Sequence, residues 1–462
     1  MPQGLRRALV AAAVLGGALL AAPAAWAAEK PTAEDCLACH ADRDLKRETP
    51  RPGRPVSLFV DGAALKGSAH GGLDCLTCHT TATAPHERLP RVRCADCHAA
   101  VPGGLAGGAH GSRRAQARAP APTCTACHGT HDVRPAAALS IDTCATCHAA
   151  QVRQYRESIH GTSRGRGDSE AATCRSCHGA AHGLRAKSDP RAPTYHLNLP
   201  RTCATCHADP ELAKRHNIAV GAVYQLYMDS IHGRAVTRSG LLVAANCSDC
   251  HGAHDIKPRT EPTSRVFRAS IPVTCGACHA GVLAEYVQSI HGREAARGNA
   301  GAPVCTDCHS AHQIRRTEAA PWQLDVIREC GTCHAESLRT YRDTFHGKVT
   351  TLGLARVAKC ADCHGSHTIQ PASDPRSTIA TANLVATCRQ CHPAATPKFT
   401  EFQPHADPTN RARFPGLYYS WLFMTLLLVG TFSFFGLHTL LWLPRSLAER
   451  LGRRRSGAPP EP

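Results

Sequence analysis

Residues Cys144 to Gly161 read CATCHAAQVRQYRESIHG. The first five place two thiols three positions apart, with an imidazole directly after the second. Both thiols can form thioethers to the vinyl groups of one porphyrin, and the histidine then lies beneath its iron. C-x-x-C-H therefore reads as an attachment site for haem c. Working outward, the pattern recurs thirteen times and uses all 26 cysteines. The leading cysteines are Cys36, Cys75, Cys94, Cys124, Cys144, Cys174, Cys203, Cys247, Cys275, Cys305, Cys330, Cys360 and Cys388. The trailing ones are Cys39, Cys78, Cys97, Cys127, Cys147, Cys177, Cys206, Cys250, Cys278, Cys308, Cys333, Cys363 and Cys391. The motif histidines are His40, His79, His98, His128, His148, His178, His207, His251, His279, His309, His334, His364 and His392.

Other uses of paired cysteines do not fit. A zinc ribbon has no need of histidine after every second cysteine. A thioredoxin-like site uses one pair, and a disulfide framework does not keep one fixed spacing. Histidine is 29 of 462 residues, so chance would place it after a given cysteine about 6% of the time; here it follows every pair.

The remainder of the quoted stretch defines a larger repeat. Odd-numbered motifs from the third to the eleventh are mostly followed by Ala, a helical stretch and His-Gly, as in CGACHAGVLAEYVQSIHG. Even-numbered motifs tend to continue C-H-G-x-H, as in CHGTHDVRP and CHGAHDIKP. The unit is a di-haem module of about sixty residues, repeated about six times. The first module carries a Pro- and Arg-rich insertion near Arg47–Pro55, and the longest interval, after Cys203, contains His216. With about 29 residues per haem there is too little chain for a conventional apolar core around each cofactor. The expected fold is mainly α with much irregular structure, few or no strands, and haems forming the interior.

Supply decides the sixth iron ligand. Sixteen histidines lie outside the motifs, whereas the chain has three methionines, of which Met1 and Met424 fall in apolar terminal segments. Bis-histidine ligation is therefore expected, with low-spin irons of low potential. One slot precedes Gly: His110, His160, His291 and His346 stand twelve residues after a motif histidine, and His70 and His232 share the His-Gly signature at longer separations. The second slot follows C-H-G or close to it: His131, His182, His254, His312 and His367, with His86 in that role for the first module; His405, thirteen residues after His392, belongs with the first slot but lacks the Gly. His128 and His131 are joined by a turning tripeptide with Cα atoms at most about 10–11 Å apart. Two imidazoles on opposite faces of one iron need more room, so His131, like His254, His312 and His367, should serve a different haem from the histidine just before it. His196 and His216 remain over and read as surface residues. Tyr155, Tyr227, Tyr286 and Tyr341 each stand five residues before a slot histidine. They pack on a porphyrin edge, bond a propionate, or simply pack a short helix.

The net charge of +17 does not require an anionic partner. Thirteen haems, each with two propionates, bring the oxidised protein to about +4 and the reduced one to about −9. No nucleic-acid motif is present.

Residues 1–28 read as a secretory signal peptide: Arg6 and Arg7, an apolar stretch from Ala8 to Ala22, and the triplet Ala25-Trp26-Ala27. A thirteen-haem domain is expected over 29–410, a transmembrane helix over 417–443 and a cytoplasmic tail over 444–462. Leu417 to Leu443 lacks Asp, Glu, Lys and Arg and is long enough to cross a bilayer. Tyr418, Tyr419, Trp421 and Trp442 form its interfacial belts. Export places the haem domain in the periplasm, anchored to the inner membrane by a single pass, with the carboxy terminus in the cytoplasm.

With these residues in view, the chain resembles the membrane-anchored multihaem cytochromes c of bacterial anaerobic respiration. YxxSIHG followed by CxxCHGxH resembles the haem packing of the nitrite-reductase and hydroxylamine-oxidoreductase superfamily. The resemblance implies electron transfer between the quinone pool, or a membrane b-type partner, and periplasmic or outer-membrane acceptors. Reductases of that superfamily carry an open or Lys-ligated iron; no C-x-x-C-K occurs here, so an electron-transfer role is expected rather than a stand-alone enzyme. The rival readings are a terminal reductase of a small nitrogen or sulfur oxyanion, with one five-coordinate haem, and an extracellular conducting filament.

His438 lies in the apolar span near Gly430, Ser433 and Gly436. A histidine in a span marks a functional site by default, and small residues let another helix or a porphyrin approach. FFGLHTLLWLPRSL is similar to the first helix of di-haem b-type membrane cytochromes. That resemblance implies haem b or a quinone shared with a partner subunit at His438; the alternative is a side chain reaching the lipid headgroups.

If every motif is loaded, the intact mass of the mature holoprotein will exceed the polypeptide mass by thirteen haems. A smaller excess with titratable free thiols would refute full loading.

Overall fold

The C-x-x-C-H motifs fold as short helical turns, as at Cys174–His178, Cys247–His251, Cys305–His309 and Cys360–His364. In the last three the third residue is Asp, and its carboxylate accepts from the backbone N–H of Asn246, Val304 or Lys359, just before the leading cysteine. This satisfies a donor that a helix start leaves orphaned. The residue after the histidine turns the chain back at positive φ: 86° at Gly129, 84° at Gly179, 83° at Gly252 and 78° at Gly365. Ser310 takes the same turn at φ 61°, and its hydroxyl donates to the Gln313 carbonyl at 2.9 Å. Glycine at the other four turns thus has a backbone reason.

This computed structural model describes residues 30–47, 55–86, 88–111, 121–218 and 222–456. The expected signal peptide, most of the Pro- and Arg-rich insertion and the last six residues lie outside them. The fold is mainly helical with much irregular chain. Among the described residues the only sheet is Lys46–Arg47 paired antiparallel with Val56–Ser57.

The odd-numbered motifs build a second local structure. At His279 and His334 the backbone leaves helical geometry (φ −101° and −102°, ψ 51° at both). New helices then start, Ala280–Gln288 and Ala335–Asp343. Each ends at a hydroxyl residue that begins the next: Ser289 caps Ile290–Ala296, and Thr344 caps Phe345–Thr351. Ser158 and Ser230 do the same for Ile159–Gly165 and Ile231–Thr237. The Ser289 hydroxyl accepts from Gly292 N–H at 3.0 Å and donates to the Tyr286 carbonyl at 2.7 Å. The glycine of SIHG is fixed by contact. A Cβ on Gly292 would stand 2.0 Å from the Tyr286 carbonyl oxygen, and Gly161, Gly233 and Gly347 are as close to theirs.

The chain divides into two units, Met1–Cys147 and His148–Pro462. Within each, backbone bonds tie distant modules together. The residue before a His-Gly histidine donates to the carbonyl two residues after a C-H-G-x-H histidine. The bonds are Ala69 to Val133 in the first unit, and Ile159 to Ile256, Ile231 to Ile314 and Ile290 to Ile369 in the second, all 2.7–2.8 Å. The buried apolar residues are few and mostly small, among them Ala192, Ala213, Val236, Ala302 and Ala380.

The carboxy-terminal helix runs from Pro415 to Ser456. It exceeds the expected span at both ends and continues through Pro444 into the tail. By length and composition Pro415–Gly452 can cross a membrane, and its most apolar stretch has no residue buried against the rest of the chain.

Gly292→Ala should lower the thermal midpoint by an amount equivalent to about 1–3 kcal/mol, the usual cost of overpacking. Gly281→Ala, whose new methyl meets nothing within 4 Å, should not lower it. Paired melts of the two holoprotein variants check this.

Candidate haem-binding array

The His-Gly and C-H-G-x-H segments bring the expected histidines together in pairs. In the first unit His40 faces His86 with ring centres 5.8 Å apart, His98 faces His70 at 6.0 Å, and His79 faces His131 at 6.3 Å. In the second, His178 faces His254 at 6.1 Å, His207 faces His160 at 6.2 Å, and His251 faces His312 at 6.1 Å. His279 faces His232 at 6.1 Å, His309 faces His367 at 6.1 Å, and His334 faces His291 at 6.3 Å. His364 faces His405 at 6.3 Å, and His392 faces His346 at 6.1 Å. Every pair joins one motif histidine to one from outside the motifs. Of the remaining site histidines, His110, His128, His148 and His182 have partners of their own.

These separations test the fit of an iron. Two bonds of about 2 Å from metal to imidazole nitrogen, plus about 1 Å from each nitrogen to its ring centre, put the centres about 6 Å apart. The rings also hold suitable protonation states. The Nδ1 atoms of His40 and His128 lie 2.7 and 2.9 Å from the Leu58 and Arg134 carbonyls. Nδ1 must therefore carry the proton and leave Nε2 for a metal. Burial lowers the pKa of the His160, His207, His251 and His309 rings. That favours neutral imidazole, the form a metal needs.

The pairing follows a rule. A His-Gly histidine faces the motif two places further on from the motif it follows: His160 follows His148 and faces His207, and His232 follows His207 and faces His279. A C-H-G-x-H histidine faces the motif two places back: His254 faces His178, His312 faces His251 and His367 faces His309. Successive modules therefore exchange side chains in both directions.

The cysteines lie on the same path. Their thiols stand where the thioether sulfurs of attached haem would be. Leading thiols of neighbouring motifs lie next to each other: Cys36 by Cys75 and Cys94 by Cys124 in the first unit, and Cys203 by Cys247, Cys275 by Cys305 and Cys330 by Cys360 in the second. Trailing thiols adjoin the next motif, as Cys177 does Cys203 and Cys250 does Cys278. Within each unit, neighbouring attachment sites thus adjoin in sequence order.

Comparison with known proteins agrees with this chemistry. Residues 68–149 match the family model described as cytochrome c3. No curated protein and no solved structure matches the chain. The chain is a multihaem cytochrome with covalently held haem c. Its one-electron chemistry belongs to the haem; the polypeptide's part is attachment, ligation and spacing.

Several side chains of this cytochrome have roles that sequence reading left open or missed. The four tyrosines do not offer a free hydroxyl proton to a propionate. Tyr155, Tyr227, Tyr286 and Tyr341 donate to the carbonyls of Ala172, Ala245, Pro303 and Ala358, each two residues before the next even-numbered motif, at 2.7–3.0 Å. His196 is not a surface residue. It is half-buried, its Nε2 lies 2.8 Å from the Ala244 carbonyl, and Asn246 donates to its Nδ1 at 3.0 Å. His216 bonds Glu170 at 2.9 Å. Trp322 stacks on His309 at 5.4 Å and Phe399 packs against His392 at 5.1 Å. Neither occupies a repeated position, so neither carried a signal in the sequence.

Replacing His254 by Ala should make one haem high-spin, and that haem should be the one attached at Cys174 and Cys177. Replacing His196 should leave all low-spin. Electron paramagnetic resonance of the oxidised protein reads both, and a high-spin signal from the His196 variant would refute the pairing.

Proposed function

We propose that this chain is a membrane-anchored electron conduit carrying thirteen haems c, each iron held between two histidines. The supporting observation is the set of imidazole pairs about 6 Å apart, strung along attachment sites that adjoin in sequence order. On this reading His110, His128, His148 and His182 are ligands as well. Ligation by two imidazoles leaves an iron without a substrate position, which favours electron transfer over reduction of an oxyanion. The haem region lies in the periplasm, and the carboxy-terminal helix anchors it to the inner membrane. Electrons pass between the quinone pool or a b-type membrane subunit and periplasmic or outer-membrane acceptors. His438, exposed on the helix surface, ligates haem b or bonds a quinone within that partner.

In native membranes, His438→Ala should abolish quinol-driven reduction of the c-haems while leaving their content unchanged. Unchanged reduction kinetics would reduce the helix to a plain anchor.

A further inference from the structure

The helices that carry the His-Gly histidines share one plan, and the last departs from it. Ile159–Gly165, Ile231–Thr237 and Ile290–Ala296 end on Arg166, Arg238 and Arg297; Phe345–Thr351 ends on Leu352. Leu352 is 86% exposed. Two residues on, where the other modules have Asp168, Gly240 and Asn299, stands Leu354, also exposed. At the first helical position Phe345 is 77% exposed, against 39% for Ile159 and 37% for Ile231. Phe345 and Leu352 are seven residues apart and share a helix face. Exposed Phe399 and Phe402 follow His392, the ring partner of His346 on this helix. The copy at Ile231–Thr237 also exposes Leu241, Leu242 and Val243, but beyond an Arg238 cap and Gly240; apolar residues at the cap itself and two residues on set the last copy apart and mark an exposed apolar surface.

The route to the carboxy-terminal helix identifies its partner. Arg339, on the helix Ala335–Asp343 that leads through Thr344 into Phe345–Thr351, bonds Asp407 at 2.8 Å. Thr340 on the same helix lies 3.0 Å from His405 Nδ1. From Asp407 to Pro415, where the apolar helix begins, the chain can reach at most about 28 Å. The anchor is therefore tied to the module that carries the apolar surface.

We infer that Phe345, Leu352 and Leu354 seat this module in the headgroup–acyl boundary of the same bilayer that the carboxy-terminal helix crosses. The haem site at Cys388–His392 is then the one held against the membrane, the port through which the array exchanges electrons with it. The inference rests on the reading of that helix as a membrane span.

The test uses full-length holoprotein in phosphatidylethanolamine–phosphatidylglycerol liposomes doped with a phospholipid bearing a diazirine on its acyl chain. After photolysis and digestion, mass spectrometry should find label on the segment 345–354 as well as on the carboxy-terminal helix. Label on the equivalent segment 159–168 should be several-fold lower. The double variant Leu352→Arg, Leu354→Asn should lose most of the 345–354 label with an unchanged Soret spectrum. Label on the carboxy-terminal helix alone would overturn the inference and leave the anchor standing; label on neither would overturn both. An altered haem spectrum with undiminished label would place these side chains on the porphyrin and also overturn it.

Discussion

Two imidazoles facing each other across about 6 Å are the constraint that the rest of this chain serves. Such a gap fits a metal bonded to both rings, and small errors in position would spoil that fit. The repeated hydrogen bonds make sense as its supports. Ser289 ends one helix and starts the next, Gly292 lets the new helix approach the Tyr286 carbonyl, and Tyr286 reaches Pro303 ahead of the following motif. Each step fixes His291 against His334. With so few buried apolar side chains, the proposed ligation would make ligand bonds and the faces of the cofactors the main source of stability. Binding and folding are then one process.

Much of this was legible in the sequence, because the chemistry of attachment is local. The motif needs only five consecutive residues, and the glycine after it answers to one backbone angle. The two slots for additional histidines were visible as repeated spacings. Which motif each histidine faces was not visible, because the pairing crosses between modules. His254 is three residues from His251 in the chain but faces His178, and no local pattern encodes that. The tyrosines were ambiguous for a related reason. A tyrosine five residues before a ligand suits several partners, and only the approach of Ala172 or Ala245 decides among them. His196 was misread because a lone histidine carries no period; its partners Ala244 and Asn246 lie far along the chain.

The repeats also separate what is required from what is incidental. Glycine recurs at the C-H-G turn, yet Ser310 takes the same conformation with its hydroxyl on Gln313. The requirement there is the angle rather than the residue. Serine and threonine alternate at the helix junctions without loss of the cap, as Thr344 does for Gly347. The tyrosine hydroxyl finds a carbonyl at the same offset in all four copies, whether it belongs to Ala or Pro.

The two directions of side-chain exchange have an asymmetric consequence in time. A chain is made from its amino terminus, so the histidine that faces His207 already exists when His207 emerges: His160 precedes it. The histidine that faces His178 does not, because His254 is synthesised later. Apart from the first, whose partner His86 comes later, the paired odd-numbered sites can therefore mature as they appear, whereas even-numbered sites wait half-made for a segment still to come. Each newly finished stretch completes an older one, and the array closes behind the growing end like a zipper whose teeth engage out of step.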